Sequence, residues 1–210
     1  MERSNTRSGF TLIEMLIVIT IIGLLAVFLL PNVIGAKDTA NQAADQANMR
    51  WHFIELSKVY EGNKLPKQGG HKFVLSTWFR GIVEKTETNF NHYWSPGVKV
   101  DARKSELGEQ NLKDIWPNEQ AVTSDDTHYA GRSHQFYKGM QSGNEAWMSN
   151  DEEGGRTFND GTINVLMGDG SVKALKVDPD LMKYGFKLEG DNAFEVGPTS
   201  PHPLLQKLLR

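Results

Sequence analysis

Ser8-Gly9-Phe10-Thr11-Leu12-Ile13-Glu14 joins a basic, polar leader to a long apolar run, and this junction decides how the chain is organised. From Phe10 to Leu30 nearly every residue is apolar, enough for a helix of roughly 20 residues to cross about 30 Å of hydrocarbon. Glu14 is the exception. A carboxylate in such a segment is disfavoured by up to roughly 3 kcal/mol, less near an interface, so its presence there points to a use. Arg3 and Arg7 precede the run against the single acid Glu2, whereas Lys37 and Asp38 beyond it cancel. The basic end is therefore expected to stay cytoplasmic and the bulk of the chain to be exported. A cleaved secretory signal fits less well, because the apolar run exceeds the roughly 7 to 15 residues of a secretory core segment. A plain signal anchor explains hydrophobicity and orientation, but not Gly9 directly before Phe10 with Glu14 one helical turn beyond.

The stretch GFTLIEMLIVITIIGLLAVFLLP, ending at Pro31, resembles the signal of type IV pilins and of the pseudopilins of type II secretion. The resemblance implies cleavage by a membrane-embedded prepilin peptidase between Gly9 and Phe10, followed by N-methylation of Phe10. It also implies an assembly role for Glu14. Inside a filament the ammonium of Phe10 would be buried, and Glu14 sits where it can neutralise its own or a neighbour's amine. A buried ion pair is near break-even in stability, so the expected contribution is register. Gly23 and Pro31 interrupt the helical pattern; proline removes one backbone bond and clashes with the preceding turn, at about 3 kcal/mol in a helix interior. A kink or local melting is expected there, and the resemblance implies the same for the assembled filament.

Beyond the membrane segment, Ala36, Ala40, Ala43, Ala44, Ala47, Trp51 and Ile54 recur at spacings of three and four, which predicts one apolar helix face. Asp38, Asn41, Gln42, Asp45, Gln46 and Arg50 are expected on the polar side. Gly62-Asn63, with Pro66 behind, supplies a stop. One helix from Phe10 to about Tyr60 would be roughly 75 Å long. The expected organisation is a leader over 1–9, a long helix over 10–61 with its membrane part at about 10–30, and an exported head over 62–210.

The 210 residues leave room for one modest domain after the helix. A formal charge of −3 gives no electrostatic footprint for nucleic acid. Cysteine is absent, unlike the many type IV pilins that close a C-terminal loop with a disulfide. In the head, Lys72 to Ile82 pairs apolar residues at four-residue spacing and predicts a short helix. Thr86 is positioned to cap a second, running through Tyr93 to a stop at Ser95-Pro96-Gly97. Asn111 to Trp116 predicts one or two helical turns, and Gly131, Gly139 and Gly143 punctuate a loop-rich region. Thr162 to Met167, Gly168-Asp169-Gly170 and Ser171 to Val177 predict a β-hairpin, with a further strand at Glu145 to Ser149. Asp178-Pro179 is expected to cap a turn at Leu181 to Tyr184, with Phe194 returning to the core. Leu204, Leu205, Leu208 and Leu209 either dock as a helical turn or fray. The hairpin also resembles the C-terminal region of a group of bacterial prepilin-like proteins, which carry a histidine ten residues ahead of an Asp-Gly. Asn159 stands at that position here, so no histidine role transfers.

Chemistry in the head is sparse. Asp125, Asp126, Asp151, Glu152, Glu153, Asp160 and Asp169 fall on predicted loops, and Asp151, Asp160 and Asp169 are candidate calcium ligands. Major pseudopilins as a family hold calcium near the C-terminus. The alternative is an ordinary solvated acidic surface, and no stretch has the twelve-residue EF-hand spacing. The histidines offer no zinc triad. Ser133-His134 has no orienting acid in evidence and is not a catalytic pair, and the tryptophans suit a core or subunit contacts.

The fold class expected is α+β: a long N-terminal helix on a small head with a short antiparallel sheet. The function expected is a non-enzymatic filament subunit in the bacterial inner membrane, its N-terminus cytoplasmic and its head periplasmic. Its implied partners are prepilin peptidase, an inner-membrane assembly platform and other pilin or pseudopilin subunits. The alternative from another class is an exported ligand-binding or enzymatic domain that uses the helix only as an anchor.

Overall fold

The computed structural model describes residues 10–62, 65–96, 116, 118–151, 162–176, 195–200 and 202–210, without the side chains of 30–32 and 34. The fold is α+β; among the described residues it comprises α1 (Leu12–Glu61), α2 (His71–Phe79), α3 (Glu87–Asn91) and five strands: β1 (Tyr129–Arg132), β2 (Ala146–Asn150), β3 (Thr162–Met167), β4 (Val172–Lys176) and β5 (Leu208–Leu209). The chain divides into two compact units, Met1–Ala40 and Asn41–Arg210. The readings at Asn111 to Ile115, Asp178 to Tyr184, Phe194, Asn159 and Asp160 lie outside the described residues.

In the first unit α1 is unbroken through Gly23 and Pro31. A proline deletes a single backbone hydrogen bond, and the leucine- and isoleucine-rich turns before it keep the helix.

The second unit is built on an antiparallel sheet of order β4-β3-β2-β1-β5. The predicted hairpin is present as β3 and β4, its turn closed by Gly170 at φ 82, a conformation that favours glycine. The predicted strand beside it is β2. A register shift between Ala146 and Met148 bends β2, and Trp147 lies against Phe53 of α1 with ring centroids 5.1 Å apart. Thr86 caps α3 as expected, accepting from the Asn89 amide at 3.2 Å.

Two elements correct the sequence reading. Gly131 is not a loop residue but sits in β1, where α2 packs so closely that a Cβ would collide with the Gly70 carbonyl. A glycine inside a strand marks such a backbone approach. The C-terminal leucines do not end in a helical turn; Leu208 and Leu209 pair with Arg132 and Gly131 as β5. Leu205 and Leu208 are fully buried with Ala130, Ala146, Ile163, Val165 and Met167 in a second core. Tail and sheet are also tied by Lys207 to Glu145 at 2.7 Å and by Arg210 to Asp151 at 2.7 Å.

Both sides of β3 are therefore covered. Ile163, Val165 and Met167 enter the core shared with the tail, while Leu166 joins the core that holds Met49 and Leu56 of α1. The polar half of the alternation, Thr162 and Asn164, is also fully buried, which a strand with one solvated face would not show.

Candidate functional site

Two places in the chain combine chemistry with unusual surroundings. The first is the start of α1. Gly9 lies outside the described residues, and Phe10 is 74% exposed. The Thr11 amide and hydroxyl both donate to Glu14 Oε2 at 2.7 Å, and the Glu14 amide donates to Thr11 Oγ1 at 3.3 Å. This is a reciprocal capping box, in which threonine and glutamate three residues apart satisfy amides that the first helical turn leaves without partners. In the isolated chain Glu14 is thus held by Thr11. The Thr-x-x-Glu spacing was visible in the sequence, but the apolar context drew attention to the carboxylate alone.

Behind this cap, Leu12–Leu29 is long and apolar enough to cross a membrane, and none of it is buried within the chain. A soluble domain does not leave a continuous apolar surface of this size bare. By length and composition the segment fits a membrane anchor.

The second place is the seam between α1 and the sheet, inside the second unit. Asp45, expected on the polar side of α1, is fully buried. It accepts from Tyr129 Oη at 2.7 Å, Asn150 Nδ2 at 3.0 Å and Asn164 Nδ2 at 2.7 Å. These donors come from β1, β2 and β3 in turn. The Asn150 side chain is itself oriented, its Oδ1 accepting the Asn164 amide at 2.7 Å. Burial pushes the Tyr129 phenol well above its ordinary pKa, and the neighbouring Asp45 charge adds to the shift. The hydroxyl stays protonated and remains a donor. A buried carboxylate is tolerated only when hydrogen bonds replace its lost hydration, and here three neutral donors do so.

Two turns further along α1, the buried His52 places Nε2 2.9 Å from the His92 carbonyl oxygen, while Asn48 Oδ1 lies 2.8 Å from His92 Nδ1. Trp51 stacks on His92 at 4.3 Å between centroids. Burial lowers the His52 pKa to about 3 and also lowers that of His92. Both rings are therefore neutral near pH 7 and act as hydrogen-bonding packing groups. The side of α1 that the head covers is Asp45, Met49, His52, Leu56 and Val59. Ala43, Ala44, Ala47 and Ile54, expected to face the core, are exposed.

Of the candidate calcium ligands, Asp151 and Asp169 are among the described residues. Asp151 is engaged by Arg210. Asp169 accepts from the Ser171 amide and hydroxyl at 2.9 and 2.6 Å and so shapes the hairpin turn. Asp160 lies outside the described residues. Among the described residues no three histidine or carboxylate side chains are grouped to hold a metal ion.

Residues 4–30 match the family described as the prokaryotic N-terminal methylation motif. The chain is 43% identical over 42 residues to the type II secretion system core protein G of Vibrio cholerae serotype O1. That alignment covers 20% of this chain and 29% of the relative's length. No solved structure matches the chain. The chain is pilin/pseudopilin-like, and the likeness rests on its N-terminal segment.

Proposed function

We propose that the chain is a structural subunit of a pilin- or pseudopilin-type filament and catalyses no reaction itself. Prepilin peptidase cuts between Gly9 and Phe10, and the new amine of Phe10 is methylated. The apolar part of α1 then anchors the subunit in the inner membrane, with the head on the periplasmic side. On transfer to an assembly platform the same segment becomes part of the filament core, among other copies or related subunits. Glu14 exchanges its contact with Thr11 for the Phe10 amine of its own or a neighbouring subunit, and this contact sets registry.

The observation that carries the reading is a coincidence of position. The methylation motif over residues 4–30 overlies a helix segment whose apolar surface finds no cover within its own chain. A tether would account for that surface, but it would not call for a cleavage site and a carboxylate at its border. Intact-mass analysis after expression with a prepilin peptidase tests the first step. The wild-type chain should yield a product beginning at methylated Phe10. Gly9→Leu should remain full length yet still insert, since the apolar run is unchanged. A wild-type product beginning elsewhere, or no cleavage at all, would remove the assignment.

A further inference from the structure

We infer that Asp45 is a positioning residue that selects which side of α1 lies beneath the sheet. At residues 43–47 the apolar pattern favours the side that is exposed: Ala43, Ala44 and Ala47 face outward, while the carboxylate is the group fully buried. At 100° per residue, Ala43 and Ala47 lie about 160° around the helix from Asp45, and Ala44 about 100°. Bulk helps only from Met49 onward, where Met49, Leu56 and Val59 add to the covered side. In the turn before Met49, hydrophobicity alone would bury the alanines.

The sheet accounts for the reversal. Tyr129, Asn150 and Asn164 are at most 2% exposed, and each directs a donor to Asp45 from a different, adjacent strand. If the helix turned its alanines inward, all three donors would lose this acceptor inside the protein. Leaving a buried donor unmade costs more than making it returns. An axial slip would be penalised in the same way, because Asn41 offers one acceptor oxygen and an amide donor, and Met49 no oxygen, where the three donors meet two carboxylate oxygens. The cluster thus gives up apolar burial for a single allowed placement, the role best attested for buried polar groups in packed helices.

The absence of cysteine from the chain gives a direct test, made on the full chain in detergent micelles and independent of filament assembly. Single cysteines are introduced as Ala47→Cys, on the exposed side, and Met49→Cys, on the covered side. In the parent, Met49→Cys should react with a thiol reagent at least about tenfold more slowly than Ala47→Cys, since labelling requires local opening. In an Asp45→Leu background that keeps its far-ultraviolet circular dichroism and still melts cooperatively, the contrast should shrink to within about threefold. Retention of the parental contrast in folded Asp45→Leu would overturn the inference, whatever happened to its melting temperature. If Asp45→Leu does not fold, the exchange of side chains in Asp45→Asn with Asn150→Asp decides the matter. It returns a carboxylate to the cluster and should restore the contrast, and failure to restore it would equally overturn the inference.

Discussion

Glu14 and Asp45 are two carboxylates on one helix in opposite circumstances. Glu14 is exposed and, among the described residues, is held by the residue that caps its helix, whereas Asp45 is sealed among donors from three strands. The first is free to change partners and the second is not. His52 supplies the residue-scale prediction. Its folded pKa is about 3, against about 6.5 in an unfolded chain. Above about pH 6.5 neither state binds the proton, so the contribution to stability is constant there. Below it the unfolded chain takes up a proton that the folded chain refuses, and stability falls until the pH nears 3. His92 and His202, both lowered by burial, act in the same direction. Burial pushes the Glu145 carboxyl up, but hydrogen bonds from Lys207 and Arg132 and their charges outweigh it and hold the group below its ordinary value. Its contribution is therefore lost only at more acidic pH, below about 4.5, and the interval from pH 6.5 to 4.5 isolates the histidines. Melting of the detergent-solubilised chain should be flat above pH 7 and decline through that interval, and less steeply in His52→Gln. A flat profile down to pH 5 would mean that His52 is not held neutral by burial.

At the scale of elements, the hairpin of β3 and β4, the strand β2, the capped α3 and the long α1 were legible because each is announced locally. A Gly-Asp-Gly turn between alternating strands, a threonine cap and an uninterrupted apolar run need no tertiary partner to be recognised. The covered side of α1 was not legible. Periodicity identifies an apolar stripe, but Asp45 is buried because donors more than eighty residues away converge on it, and no window of sequence contains them. Likewise β1 and β5 are short, with a glycine in one and a pair of leucines in the other; β1 is held between β2 and β5, and β5 is defined by its pairing with β1. The tail follows from that pairing. Leu205 is fully exchanged from water into the core behind β3, so Leu205→Ala should cost about 2–5 kcal/mol. Denaturant titration would register the loss, and an unchanged midpoint would make the tail peripheral to the fold.

For the whole molecule, the head conceals a charge in order to fix its own geometry, while the first unit leaves its apolar surface for surroundings supplied from outside. Replacing Glu14 with leucine separates the two accounts of that surface. Leucine is favourable in a membrane where a carboxylate is not, so a chain that needs only an anchor should gain or lose nothing. A filament subunit should fail, because the Phe10 amine is left buried without a counter-charge, at a cost of about 3–5 kcal/mol. The decisive measurement is cross-linking between neighbouring subunits in cells carrying the cognate machine, for the wild type and for Glu14→Leu at equal abundance in the inner membrane. The account predicts that the variant is cut after Gly9 and inserted normally, yet gives no ladder of cross-linked subunits and is absent from sheared filaments. A wild-type ladder from Glu14→Leu would contradict it.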